Sequence, residues 1–118
     1  MKSLKSFIIA VSLLLSLGYV SIAAATSLDQ IKLVQSHIAE AIKAIDAGES
    51  NEVAREHVLA SLRESKEITG TEMLEKNRLK ASRPLKKART ALKKDDPQKA
   101  KEFLGEAEKK FAGLKKYL

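Results

Sequence analysis

The sequence predicts an all-α protein: an up-down-up-down four-helix bundle built from two repeated αα-hairpins and preceded by a signal peptide. After residue 25, apolar residues recur at alternating spacings of three and four, and no stretch shows the alternation of a strand. Capping residues and glycines divide this pattern into four segments with short connections, which favour antiparallel neighbours. Because aromatic residues make up only 4% of the chain, the core is expected to be aliphatic and rich in alanine.

Residues 1–25 have the layout of a secretory signal peptide. Two lysines precede the apolar run Phe7–Leu17, and Ala23–Ala25 provide an A-x-A cleavage site. Cleavage is expected after Ala25, which leaves a domain of residues 26–118 in the periplasm or outside the cell. A retained anchor is the disfavoured alternative, since a transmembrane helix needs about 20 apolar residues. The chain has no Cys, which excludes a lipoprotein, disulfides, thiolate metal sites and a thiol nucleophile.

The first predicted hairpin covers residues 26–70. Its first helix is expected to have Ser27 as N-cap and to end at Gly48. The second is expected to run from about Ser50 to Glu67. The residues expected to face the core are Ile31, Val34, Ile38, Ala41, Ile42, Ile45, Ala54, Val58, Ser61, Leu62, Ser65 and Ile68.

The second predicted hairpin covers residues 71–118. Thr71 is expected to cap its first helix, and Pro84 is expected to divide that segment into a short helix, a kink and a longer helix. Asp96 is the predicted N-cap of the last helix, with Pro97 at its first position. The residues expected to face the core are Leu74, Ala81, Leu85, Ala88, Leu92, Ala100, Leu104, Ala107, Phe111, Leu114 and Leu118. Gly105 and Gly113 in the last helix indicate either close helix packing or simple tolerance.

The two hairpins resemble each other as an internal repeat. The segment 41–45 matches 88–92 at an offset of 47, and 54–58 matches 100–104 at an offset of 46. In both copies an acidic turn precedes a helix that opens with Ala, a basic residue and Glu. His57 aligns with Phe103, which favours a simple packing role for this histidine.

Charge is divided unequally between the hairpins. Residues 26–72 contain five Lys/Arg and nine Asp/Glu, a net −4, whereas residues 73–118 contain 15 and six, a net +9. Either this is an ordinary solvated surface, or the second hairpin binds an anionic membrane surface or an acidic protein. Opposite charges could also drive homodimerisation, and no nucleic-acid motif is present. The residues predicted to bind an anionic partner are Lys86, Lys87, Arg89, Lys93, Lys94, Lys109, Lys110, Lys115 and Lys116.

The two histidines of the chain fall in the first hairpin. If its helices are antiparallel about Glu49, His57 lies level with Glu40, and His37 lies about one turn (~5.4 Å) further along. Together with Glu56, these side chains could then form a site for a divalent Cu, Ni or Zn ion. The alternative is that both histidines flank the core. The sequence contains no motif of a hydrolase, a phosphate-binding loop or a zinc protease, so an enzyme is not expected.

The run from His37 through the acidic turn at Gly48 to Glu56, His57 and Leu62 resembles the small metal-binding proteins of bacteria. That resemblance implies a secreted four-helix bundle of duplicated hairpins that binds divalent metals such as copper through many histidines. This chain departs from the family because its second hairpin has no histidine. Only His37 and His57 carry over as implied ligands, whereas Glu40 and Glu56 come from the geometric argument.

Two functions are therefore predicted. The first is weak binding or buffering of a divalent metal by a secreted, non-enzymatic bundle. The alternative is a periplasmic interaction protein that binds anionic envelope components or acidic partners through the basic face of its third and fourth helices.

Overall fold

The structure, a computed structural model, describes residues 26–118 as four α-helices. They are α1 (Ser27–Asp46), α2 (Asn51–Ser65), α3 (Glu72–Lys93) and α4 (Pro97–Gly113), with a final 3₁₀ turn at Leu114–Tyr117. Residues 26–118 contain no strand, which confirms the all-α prediction. None of the helices in this range has the length and apolar character needed to cross a membrane. The predicted signal peptide lies outside the described residues.

The four helices contact one another as a closed ring. The most extensive contacts are α1 with α2 and α3 with α4, and the ring closes through α2 with α3 and α1 with α4. At one end, the Ser27 hydroxyl donates to the Thr69 carbonyl at 2.7 Å. At the other end, the Asn51 side-chain amide donates to the Asp95 carboxylate. This arrangement is compatible with the predicted four-helix bundle.

The core follows the predicted stripes almost completely. Every predicted inward residue is buried except Ile42, which is half-buried, and Leu118, which is 55% exposed. The Leu118 prediction was wrong because α4 ends at Gly113 and the following 3₁₀ turn changes the rotation per residue. Eight alanines lie among the buried apolar residues, so the helices can approach closely, as the low aromatic content predicts.

The hydroxyls of three buried serines form hydrogen bonds within their own helices. Ser61 donates to the His57 carbonyl at 3.0 Å, Ser65 to the Leu62 carbonyl at 2.7 Å and Ser82 to the Leu79 carbonyl at 2.8 Å. Because each hydroxyl has a backbone partner within its own helix, these polar groups can lie in the core without a large desolvation cost.

Side-chain caps start all four helices. Thr26, not Ser27, caps α1: its hydroxyl accepts from the Asp29 amide, and the Asp29 carboxylate accepts from the Thr26 amide. Ser27 instead joins the connection between α2 and α3 through Thr69. The predicted caps Thr71 and Asp96 are confirmed at α3 and α4.

Pro84 does not divide the third helix. Helix α3 runs without interruption from Glu72 to Lys93, so the predicted short helix and restart were wrong. Pro84 is buried next to Leu85 in the core. Since proline lacks an amide hydrogen, one intrahelical bond is lost at this point, and we attribute the continuity of the helix to packing of its apolar face on both sides of Pro84.

The turns within the two hairpins have the same backbone design. After α1, the Gly48 amide donates to the Ile45 carbonyl and the Glu49 amide to the Ala44 carbonyl. After α3, the corresponding donors are Asp95 and Asp96, each displaced by 47 residues. Both are Schellman caps, in which the residue after the C-cap is left-handed. That residue is Gly48 (φ 71°) in the first turn and Asp95 (φ 59°) in the second.

Candidate functional site

Four lysines from two helices line an open hollow in the second hairpin. Lys86 and Lys87 come from α3, Lys94 is the C-cap residue of that helix, and Lys99 comes from the first turn of α4. The hollow has a volume of about 530 Å³. Its other lining residues are Thr90, Ala91, Asp96 and Phe103. We refer to these eight residues as the lysine hollow.

The antiparallel pairing of α3 and α4 brings these residues together. On α3, Lys86, Thr90 and Lys94 are spaced four residues apart, so they lie on one face of the helix. On α4, Lys99 and Phe103 are likewise four residues apart. Since the turn is centred on Asp95, the two rows face each other across the groove between the helices.

An aromatic ring lies within the lysine hollow. Phe103 is half-buried and packs against the hydrophobic core. The Lys87 ammonium lies 5.7 Å from the centroid of its ring, within cation–π range. The ring therefore contacts one exposed ammonium and places an apolar surface beside it.

Two polar groups of the lysine hollow already have partners. The Thr90 hydroxyl donates to the Lys86 carbonyl at 3.1 Å, and the Asp96 carboxylate accepts from the Lys99 amide at 3.2 Å as the α4 cap. The side chains of the hollow thus carry four positive charges and one negative charge that is engaged at a helix terminus. This arrangement suits an anionic ligand.

The predicted basic residues are only partly brought together. Lys86, Lys87 and Lys94 line the lysine hollow. Lys109 lines a separate shallow groove along α4. Lys110 Nζ lies 3.6 Å from a Glu106 carboxylate oxygen one turn earlier.

The remaining predicted basic residues lie outside the lysine hollow. Lys116 Nζ lies 5.3 Å from the centroid of the Tyr117 ring, beyond the end of α4. Arg89 is half-buried, and Lys93 and Lys115 are exposed. Of the nine predicted basic residues, Lys86, Lys87 and Lys94 thus line the hollow and the other six lie elsewhere on the second hairpin.

Sequence reasoning missed Lys99 and Phe103. A signal was available in the antiparallel alignment that was applied to the histidines of the first hairpin. In the second hairpin, a turn centred on Asp95 places Phe103 level with Lys87 and Lys99 level with Ala91. Applying it to the second hairpin would have identified both residues.

In the first hairpin, His37 and His57 lie near each other on α1 and α2. Both are half-buried, as is Glu40, whereas Glu56 is exposed. Burial, followed by the nearby His57, lowers the pKa of His37; Glu40 opposes this shift and Arg63 adds to it. His37 is therefore favoured in its neutral form, the form in which imidazole binds metals.

The four predicted metal ligands do not form a complete site. Among residues 26–118, no group of three or more His, Cys, Asp and Glu side chains is arranged to hold a metal ion. His37, His57 and Glu40 are close enough for their charges to interact, but Glu56 is not among the groups that act on His37.

The two candidate sites occupy matching positions in the two hairpins. At the offset of 47, Glu40 corresponds to Lys87, and at the offset of 46, His57 corresponds to Phe103. A carboxylate and an imidazole in the first hairpin are thus replaced by an ammonium and a phenyl ring in the second.

Comparison with known proteins gives no match: no family model, no curated protein and no solved structure is significantly similar to this chain. The resemblance to the small metal-binding proteins therefore stays a prediction.

Proposed function

We propose that this protein is a small, non-enzymatic helical bundle of the periplasm or the cell exterior that binds anionic components of the envelope through the lysine hollow. The observation that carries this proposal is the convergence of Lys86, Lys87, Lys94 and Lys99 from two helices on one hollow. Scattered lysines would give only a diffuse field, whereas a concave group of ammoniums provides a defined place for an anion.

Binding to lipid vesicles tests this proposal. Protein purified from a secreting host, with its N-terminus determined, is mixed with vesicles of phosphatidylcholine with or without phosphatidylglycerol and sedimented. We expect binding to the anionic vesicles only, and weaker binding at high salt because such contacts are screened. Equal binding to both vesicle types, or binding that salt does not weaken, contradicts the proposal.

A second candidate function is weak binding of divalent Cu, Ni or Zn by the first hairpin. Its support is the proximity of His37 and His57, together with the lowered pKa of His37, which leaves a neutral nitrogen available near neutral pH. Glu40 could add a carboxylate oxygen.

Calorimetric titration with copper and with zinc tests this second function. We expect binding by the unaltered protein and its loss in the variant His37→Gln/His57→Gln. Glu52→Gln is the control, because it removes an acidic charge from an exposed position of α2. No binding, or binding unchanged in the double variant, would exclude the histidine pair as the site.

A further inference from the structure

We infer that the lysine hollow recognises a compact ligand that carries at least two negative charges on phosphate, rather than an acidic peptide. This inference deepens the proposed function and depends on it. It concerns which anion the hollow accepts and where that anion lies.

The shape of the hollow favours a single small ligand. Its volume of about 530 Å³ falls within the roughly 300–1,000 Å³ typical of small-molecule sites. The four lysines are exposed, and Ala91 of α3 and Phe103 of α4 supply apolar lining. The hollow is open to solvent, so a ligand in it would contact α3 on one side and α4 on the other.

The spacing of the lysines favours a ligand that carries more than one negative charge. Lys86 and Lys94 are eight residues apart on α3, so their backbone positions are about 12 Å apart at 1.5 Å per residue. Lys87 lies beside the first of them, and Lys99 comes from the facing helix. Flexible lysine side chains can therefore reach one compact ligand from both ends and from both helices.

The donors in the hollow favour phosphate chemistry. The Thr90 hydroxyl is already engaged as a donor, and Asp96 is an acceptor, so the ammoniums are the side-chain donors that remain. An ammonium acts as a point charge with three rotatable donors, which suits the many oxygens of phosphate groups. The Asp96 carboxylate repels a ligand at one edge and so disfavours a long acidic chain that runs across the α4 terminus.

Calorimetry with pyrophosphate as the probe tests this inference on the purified protein at low salt. The test variant is Lys87→Gln/Lys94→Gln. The matched control is Lys76→Gln/Lys115→Gln, which removes the same charge from exposed positions outside the hollow. We expect the test variant to weaken pyrophosphate binding at least about tenfold and the control to change it by about twofold or less, because only the former loses charge-assisted hydrogen bonds.

Two further probes identify the source of the phosphate and the main competitor. Inhibition of vesicle binding by pyrophosphate would support the inference and show that vesicles and pyrophosphate compete for the hollow, whereas pyrophosphate binding without such inhibition would support it with a free phosphate compound. Binding of hexaglutamate but not of pyrophosphate overturns it. So does equal loss of pyrophosphate binding in both variants.

Failure of this inference can be distinguished from failure of the proposed function. If anionic vesicles bind in a salt-dependent manner but pyrophosphate does not bind, the proposed function stands and the compact site is wrong. If neither binds, both are wrong. Circular dichroism of each variant confirms that it has folded.

Discussion

The two hairpins share their backbone design and differ in the chemistry placed on it. Both turns form Schellman caps with hydrogen bonds at matching positions, and both second helices begin at a side-chain cap, Ser50 or Asp96. In contrast, the groove between the two helices carries Glu40 and His57 in the first hairpin and Lys87 and Phe103 in the second. The first groove thus carries a carboxylate and an imidazole, and the second an ammonium and a phenyl ring.

This difference shows which parts of a hairpin are free to change. The left-handed residue of the turn and the buried stripe are fixed by backbone geometry and core packing, so Val58 and Leu104 are both apolar and fully buried. The positions beside the stripe are only half-buried, as His57 and Phe103 are. Such positions can exchange polar, charged and aromatic residues without altering the path of the helices.

The largest expected effects test whether the two hairpins contribute equally to the shared core. Leu104 and Val58 occupy matching positions and are both 0% exposed. We expect Leu104→Ala to destabilise the protein by about 2–5 kcal/mol, because it leaves a cavity in the core. Val58→Ala removes one fewer carbon and should cost less by about 0.8 kcal/mol or more. Urea denaturation followed by circular dichroism measures both, and a larger cost for Val58→Ala would show that the first hairpin is the more tightly packed.

Substitutions in the two turns should have the next largest effects on stability, because the left-handed residue is glycine in one turn and aspartate in the other. An alanine Cβ at position 48 would meet no atom within 4 Å, so only the conformation opposes it. We expect Gly48→Ala to destabilise by about 1–2 kcal/mol, the cost of a left-handed non-glycine residue. Urea denaturation is again the measurement, and an unchanged midpoint would mean that the turn relaxes to another conformation.

Substitution of Asp95 by glycine should increase the stability of the protein once the side-chain contact of Asp95 is removed. Its carboxylate accepts from the Asn51 amide, so Asp95→Gly alone combines relief of the left-handed cost with loss of that hydrogen bond. In a protein that already carries Asn51→Ala, we expect Asp95→Gly to stabilise by about 1 kcal/mol. Destabilisation in that background would show that Asp95 supports the turn in a way that glycine cannot.

A smaller effect is expected at Gly105, whose match in the first hairpin is Leu59. The structure favours tolerance over close packing for both Gly105 and Gly113, since a Cβ at either position would meet nothing within 4 Å. Gly105→Ala should therefore stabilise α4 by roughly 0.5–1 kcal/mol through its better helix propensity. A loss of stability on thermal denaturation would contradict this.

The fold could be predicted from the sequence because its determinants are local. The spacing of apolar residues, the caps Thr71 and Asp96, and the glycine at position 48 each act within one or two turns of helix. The errors arose where distant contacts decide the outcome. Pro84 remains within a helix that packing extends on both sides, and Ser27 contacts Thr69 instead of capping α1.

The candidate site was less predictable because charge does not indicate convergence. Lys86, Lys87 and Lys94 were identified as basic, but so were Lys110, which lies near Glu106, and Lys116, which lies over Tyr117. The packing of α3 against α4 is what distinguishes the lysines of the hollow from the other two. Phe103 could not be recognised from composition, since a phenylalanine beside a helical stripe does not by itself show which residues of the neighbouring helix it faces.

Mild acidification should lower the stability of the protein through the first hairpin, which holds both histidines. The pKa of His37 in the folded protein is lowered by burial and by its neighbours His57 and Arg63, with Glu40 opposing. Above the ordinary value near 6.5, both the folded and the unfolded states hold this imidazole neutral, and its contribution to stability is complete. As pH falls below that value, the unfolded state takes up the proton first, so stability decreases until the pH has passed below the folded pKa.

His37→Gln should therefore lose less stability than the unaltered protein between about pH 7.5 and about pH 5, the range in which histidine titrates. Urea denaturation at several pH values measures the two slopes. His57→Gln should flatten the profile only partly, because it removes one of the charges that lower the pKa of His37 but leaves the burial unchanged. Equal slopes in His37→Gln and the unaltered protein would mean that His37 keeps its ordinary pKa, and the neutral nitrogen on which metal binding by this hairpin depends would then lose its support.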